Sequence, residues 1–414
     1  MHTLPHHDKI RSQFPGLTRK MGDKTVVFFD GPAGSQVPQS VADAVSHYML
    51  HTNANGGGFF ATSRESDALM EEAQVAAAEF FGASDPHEVV FGPNMTSLTL
   101  KLSRALKTQW QPGDEIILSS SEHDANFTPW VKAAESKGVV IKTIPLKQEN
   151  CTLDQEAYLE LLGPKTKLVA VGLASNATGT IHPIAKMAHA AHQVGAQFFV
   201  DAVHYAPHGL IDIEALGCDF LIASAYKFFG PHVGMLWGKR QLLENLPSEK
   251  LRPCDDGLPW SLMSGTPNLE GIAGVKAAIE YIASLSGLAT EEPLRAHLKA
   301  SFAAIESHEQ KLLERLMLGL KETEFKILGI QEKELMNQRV PTLSLVHPTQ
   351  TTERAAKYLA EQGIFTWSGN HYAVPFTEAM GIEPEGSLRV GLLHYNTEQE
   401  VDRLLVALKE LDNV

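Results

Sequence analysis

The chain reads as an α/β protein in two parts, a large domain with a mainly parallel sheet flanked by helices and a smaller α+β domain at the carboxyl end. Three observations carry this reading. Gln197 to Val200 and Asp219 to Ala223 are short apolar runs that close on polar residues, Asp201 after the first and Ser224, Tyr226 and Lys227 after the second. Such runs mark parallel strands buried on both faces. Upstream, the unit of apolar run, polar loop and helical spacing recurs, and from about Ile272 the composition changes to long helices with apolar residues at i, i+3 and i+4. A chain of 414 residues, 43% hydrophobic, is long for one domain. The expected division is an arm over 1–20 packing on the small domain, a large domain over 21–285 and a small one over 286–414.

In order, residues 8–14 carry amphipathic helical spacing and FPGL a turn, and MGDKTVVFFD holds a β-rich run ending in the Gly/Pro-punctuated loop DGPAGSQVP. Helical spacing over 38–51 precedes three consecutive glycines, Gly56 to Gly58, where the backbone is mobile or closely approached. A helix from about Ser66 to Phe81 leads to a strand over 88–91, a polar loop and a helix from Thr96. A helix start after a strand offers free N–H groups and a favourable dipole to an anion, phosphate above all. Thr96 serves there either as an anion ligand or as the helix cap. DEIILSSSEHDANFTPW ends a strand in a polar cluster around His123, KLVAVGLASNATG ends another at Ser175 and Asn176, and a helix over 184–195 crosses back. Beyond Lys227 come a turn and strand in GPHVGMLWG, a loop through SGTPN, and the two helices GIAGVKAAIEYIASL and AHLKASFAAIESHEQKLLERLMLGLKE. The last segment alternates strand PTLSLVH, helix TTERAAKYLAEQG, strands IFTW and SLRVGLL, and the terminal helix TEQEVDRLLVALKEL.

The formal charge of −14 opposes a nucleic-acid surface, which needs clustered Lys and Arg. No apolar stretch reaches membrane-spanning length, and MHTLPHHDKIRSQFPGL lacks a signal-peptide core, so the expected compartment is the cytosol. Three cysteines, Cys151, Cys218 and Cys254, are too few and too scattered for a disulfide framework or zinc site. His204 and His208 have metal-pair spacing, but Pro207 between them breaks the helix that spacing needs, and no metal is expected. The absence of GxGxxG after any strand and of GxxxxGK[ST] disfavours nucleotide binding.

Ligands of open α/β sheets bind at the carboxyl ends of the strands, so Asp201 and Lys227 can face one pocket. A lysine and an acid in one crevice suit pyridoxal 5'-phosphate: the lysine forms a Schiff base and the acid keeps the pyridine nitrogen protonated. Spacing alone also permits a helix-capping Asp201 and a solvated Lys227.

The strings DAVHYAPH and SAYKFFGPHVGMLWGK resemble class V aminotransferase-fold pyridoxal phosphate enzymes, specifically their cysteine desulfurase and selenocysteine lyase branch, and the resemblance extends over nearly the whole chain. It implies the fold-type I architecture of pyridoxal phosphate transferases and a homodimer with shared active sites. It places Thr96 and Ser224 at the cofactor phosphate, His123 against the pyridine ring, Asn176 near the ring oxygen and substrate carboxylate, and Lys227 at the Schiff base. Arg389, in SLRVGLLHYNT, falls at the position that binds the substrate carboxylate, a task suited to two parallel charge-assisted bonds. Thr266 of SGTPN falls where the family reaches the neighbouring subunit's phosphate. Two departures concern the cofactor: His204 replaces a glutamine that bonds its phenolate oxygen, and Tyr226 replaces a histidine.

The sharpest departure is in WSGNHYAVP. The branch carries a nucleophilic cysteine in the matching segment, and here that residue is Tyr372. A phenol has no sulfur to accept as a persulfide. The expectation is therefore a lyase or transferase acting on an α-amino acid without a catalytic cysteine. β-Elimination or C–S cleavage of a cysteine-like substrate ranks first, with Lys227 as base, His123 able to exchange protons and Tyr372 either an acid near the leaving group or a lid. Transamination or epimerisation is the alternative, and a non-catalytic sulfur-transfer partner a third reading. Cys254 reads as an ordinary loop cysteine, with nothing cationic in sequence to lower its pKa.

Overall fold

Gln197–Asp201 and Phe220–Ser224 are neighbouring parallel strands, with Asp201 in register with Ile222 on one side and Gly172 on the other. They lie inside a sheet of seven strands: β1 (Val89–Gly92), β2 (Glu115–Ser119), β3 (Val140–Ile144), β4 (Thr166–Gly172), β5 (Gln197–Asp201), β6 (Phe220–Ser224) and β7 (Gly234–Gly238). The order is β1-β7-β6-β5-β4-β2-β3, and β7 alone runs antiparallel to its neighbours. The computed structural model describes residues 4–412, so residues 1–3 of the expected arm and the last two residues lie outside it. Every residue of β6 and β7 is buried, which is why their sequences show no polar alternation.

Helices α1 (Ala61–Phe81), α2 (Met95–Leu106) and α3 (Ile184–Gln193) pack on the sheet, and α4 (Leu269–Ser284) packs on α1. Helix α1 starts a turn before the sequence suggests. Its early serines are polar yet buried, and Ser66 Oγ bonds the Thr62 and Ala54 carbonyls. At the start of α2 the backbone of Asn94 presses on β7 so closely that a Cβ on Gly234 would lie 2.5 Å from it; only glycine fits there.

Helix α5 (Leu294–Leu320) joins the two cores: Leu298, Phe302 and Ile305 sit in the large one, Leu312, Leu313 and Leu316 in the small. The second sheet runs β8-β9-β11-β10, all antiparallel, from β8 (Lys326–Leu328), β9 (Thr342–Val346), β10 (Trp367–Gly369) and β11 (Ser387–Gly391). Helix α6 (Thr352–Glu361) packs on it, and α7 (Glu398–Leu411) packs on α5 and α6. The single strand expected for IFTW is divided: Ile364–Phe365 pairs in parallel with Val27–Phe28, whereas Trp367 onward pairs with β11. The chain changes partner at Thr366. From the amino-terminal segment, Ile10 and Phe14 enter the large core, Val27 and Phe29 enter the small one, and Arg11 pairs with Glu400 at 2.9 Å.

Candidate active site

The carboxyl ends of β2, β4, β5 and β6 deliver His123, Asn176, Asp201 and Lys227 to one cavity, which opens into a cleft walled by Arg389 and the loop after β10. A one-residue slip in any of these strands would exchange the faces its side chains occupy. Lys227 is half-buried in a tight turn directly after β6, and its Nζ donates to the carbonyls of Pro32 and Ala33. Burial, then the charge of Arg389, brings its amine down to about 7 against the pull of Asp201 and Asp30. Asp201 is buried, accepts from the Val203 N–H at 2.9 Å, and is pushed up by that burial to about 6. Amine and acid thus each resist charging, and each favours charge on the other.

Asn94 caps α2, its Oδ1 accepting from the Ser97 N–H at 2.9 Å. Capping is therefore not the task of Thr96, which lines the cavity beside the helix start. Ser224 is fully buried and its Oγ accepts from the Met95 N–H at 3.0 Å, tying the end of β6 to the same helix start.

His123 has its Nδ1 occupied by the Ala125 N–H at 3.0 Å, which leaves the proton of the neutral ring on Nε2. Burial, then Lys227 and Arg389, holds it neutral, down to about 3. Beneath it Glu122 accepts from Ser119 Oγ, from the Gly172 N–H at 2.9 Å and from Asn126 Nδ2 at 2.7 Å, and Asn126 in turn accepts from Trp130 Nε1 at 2.9 Å. Burial raises the Glu122 carboxyl to about 8 despite these donors.

Asn176 joins the two domains. Its backbone carbonyl accepts from the Arg389 guanidinium at 3.0 Å, and its Nδ2 donates to the His371 carbonyl at 2.9 Å. Its Oδ1 is buried with no partner, as is Oδ1 of Asp30. Burial raises the Asp30 carboxyl to about 6, against the charges of Arg389 and Lys227. Asp30 and the Pro32 and Ala33 carbonyls are the site members the sequence reading missed. A signal existed for the first: VVFFD closes an apolar run on an acid just as QFFVD does at Asp201. Carbonyl ligands carry no side-chain signature.

His204 lines the same cavity with its Nε2 3.0 Å from Thr342 Oγ1, so one ring nitrogen is committed to β9 of the small domain. His208 turns away to Glu309, 2.8 Å. Thr266 is not brought into the Lys227 cavity within one chain. It lines a separate cleft with His232, whose ring stacks on Tyr226 at 4.7 Å and 7°, and Tyr226 walls the inner cavity.

Tyr372 stands at the mouth, 70% exposed, its ring stacked on His123 with centroids 5.6 Å apart. It and His371 both have left-handed backbones, φ 58° and 56°. Two such non-glycine residues in succession store strain, roughly 1–3 kcal/mol each. The bond from the Asp124 N–H to the Tyr372 carbonyl, 2.7 Å, and that from the Tyr372 N–H to Asn370 Oδ1, 3.1 Å, hold them there. No cysteine lines either part of the cleft among the described residues. Cys151 and Cys218 are buried, and burial pushes their thiols up to about 11 and about 12.

A large, mainly parallel α/β domain with a lysine and an acid at its strand ends, an arginine supplied by a small domain and a helix start at Thr96 beside them define a pyridoxal phosphate enzyme of fold-type I. The chain belongs to the aminotransferase class-V family, whose sequence profile matches residues 27–404. It is a pyridoxal phosphate-dependent enzyme of the cysteine desulfurase-like group. A probable cysteine desulfurase of Vibrio cholerae is 32% identical over 97% of both chains, and an aminotransferase-like protein, FGM3, of Gibberella zeae is 35% identical with the same coverage. Among solved structures, an apo cysteine desulfurase from Thermococcus onnurineus NA1 superposes with a TM-score of 0.88 at 27% identity, covering 100% of each chain. The cysteine desulfurase CsdA from Escherichia coli gives 0.82 at 28% identity, covering 99% of this chain and 98% of that one.

The residues present fit the cofactor. An amine held near neutrality lies beside a buried acid, a helix start adjoins Ser224, and the buried Oδ1 of Asn176, a residue of the cavity wall, lacks a donor.

Proposed function

We propose that the enzyme cleaves the Cβ–S bond of a cysteine-like α-amino acid by β-elimination, without an enzyme persulfide. The observation that carries the reading is one cleft in which Lys227, Asp201 and Arg389 converge while the loop at its mouth bears Tyr372 and, among the described residues, no cysteine lines it. Pyridoxal phosphate, when bound, supplies an electron-withdrawing ring conjugated with the substrate's Cα. Asp201 would hold the ring nitrogen's proton, Thr96 and Ser224 the phosphate, His123 the ring face, and His204 and Asn176 the ring oxygen. Arg389 fixes the substrate carboxylate, and Lys227 Nζ takes the Cα proton. Thiolate then leaves Cβ, and Tyr372 either protonates it or covers it. Thr266 would complete the site of the partner in a cytosolic homodimer.

The experiment is product analysis of the loaded enzyme with L-cysteine and S-substituted cysteines. Equal amounts of pyruvate, ammonia and thiol, all lost in Lys227→Ala, are expected. The second reading is amino-group transfer or epimerisation, and the Gibberella zeae relative, an aminotransferase-like protein, favours the transfer. Conversion of the cofactor to its amine form with no thiol released would put it first.

A further inference from the structure

We infer that the outer half of the cleft is a subsite for a flat, uncharged substituent on the substrate's side chain, as in an S-benzyl or S-aryl cysteine. The inference rests on the proposed placement of the substrate carboxylate at Arg389.

Two large aromatic side chains flank the mouth. Trp367 is 53% exposed and Tyr372 70% exposed, and both wall the cleft that contains Lys227 and Arg389. Their neighbours include Pro32, Ala33 and Pro384, which add apolar surface. Exposed apolar surface gathered at one entrance is the mark of a binding site rather than of chance exposure.

The backbone beneath both rings is also held in place. Trp367 begins β10, the edge strand, whose last residue Gly369 packs against Gly386 so tightly that a Cβ on Gly386 would lie 2.1 Å from it. Tyr372 is fixed through its backbone to Asp124 and Asn370 and through its ring to His123. Those two bonds maintain the left-handed backbone and keep the ring over His123.

Charge narrows the ligand. Among the described residues, the formal charges on the cleft wall are the cations Lys227 and Arg389 at its inner end, and no carboxylate lines it. The inner end therefore suits an α-carboxylate, whereas a cationic side chain would find no carboxylate in the cleft wall. Ser368 and Asn370 add only neutral polar groups. A planar apolar substituent, able to stack on tyrosine or tryptophan, matches that wall.

The test uses pyridoxal phosphate-loaded Lys227→Ala, which separates binding from turnover, titrated calorimetrically with S-methyl-, S-benzyl- and S-(2-aminoethyl)-L-cysteine. S-Benzyl-cysteine is expected to bind about tenfold more tightly than S-methyl-cysteine, the contribution of one or two aromatic contacts. The ratio should fall to about twofold or less when Trp367→Ala or Tyr372→Ala is added, and persist with Tyr372→Phe. Equal affinities, or preference for the aminoethyl compound, would overturn the subsite. Arg389→Gln separates the two claims: if it weakens all three ligands while no ratio appears, the carboxylate reading stands and the subsite fails. If none of the three binds, both fail.

Discussion

Lys227 and Tyr372 line one cleft but stand on different kinds of backbone. Lys227 follows a strand buried in the middle of a seven-stranded sheet, and its amine, Asp201 and Arg389 are set against one another by burial and charge. Tyr372 follows an edge strand, is exposed, and sits in a left-handed segment held by two hydrogen bonds. The amine and acid are thus set in the part of the fold least able to change, and under the proposed function the choice of substrate and outcome falls to an exposed loop. Under the proposed function, a phenol at the mouth in place of a thiol changes the reaction and leaves the inner end as it is.

Substitutions at the inner end should therefore abolish function, and those at the mouth should redirect it. Lys227→Ala should lower kcat by about 10³-fold or more in steady-state assays, since it removes both the covalent anchor and the base. Survival of most activity would place the base elsewhere. Arg389→Lys should raise KM about ten- to a hundredfold for every α-amino acid, because a point charge cannot replace a bidentate fork. A substrate-dependent change in KM would mean that Arg389 reads side chains.

The amine of Lys227 also predicts a pH dependence in the cofactor-free chain. Its folded value, about 7, lies below the ordinary 10.5, so between the two the unfolded chain binds the additional proton and folding stability rises with pH. Lys227→Met removes that window. Urea midpoints of the two proteins should diverge in favour of the parent from about pH 7 to about pH 10, and parallel curves would show an amine that charges normally. The smallest effect belongs to the mouth. Tyr372→Gly should stabilise the fold by about 1 kcal/mol, relief of a left-handed backbone less the entropy of glycine, as read by the urea midpoint.

Much of the inner end was legible because strand and function share one signal there: an apolar run that stops at a polar residue marks both the strand end and the pocket. That signal yielded Asp201, Asn176 and Lys227. It was also present at Asp30, where the glycine- and proline-rich loop behind it concealed the likeness to Asp201. Partner relations were illegible. Nothing local in GMLWG distinguishes an antiparallel buried strand from a parallel one, and nothing in IFTW announces that the chain changes sheets at Thr366. Trp367 went unnoticed as a wall of the cleft for the same reason, since its place depends on the close packing of Gly369 on Gly386.

The central claim is that the cleft works without a thiol, and intact-protein mass spectrometry of the loaded enzyme after turnover of L-cysteine tests it most directly. The account predicts an unchanged protein mass while pyruvate accumulates. A sulfur atom added at Cys254, lost together with turnover in Cys254→Ala, would contradict it.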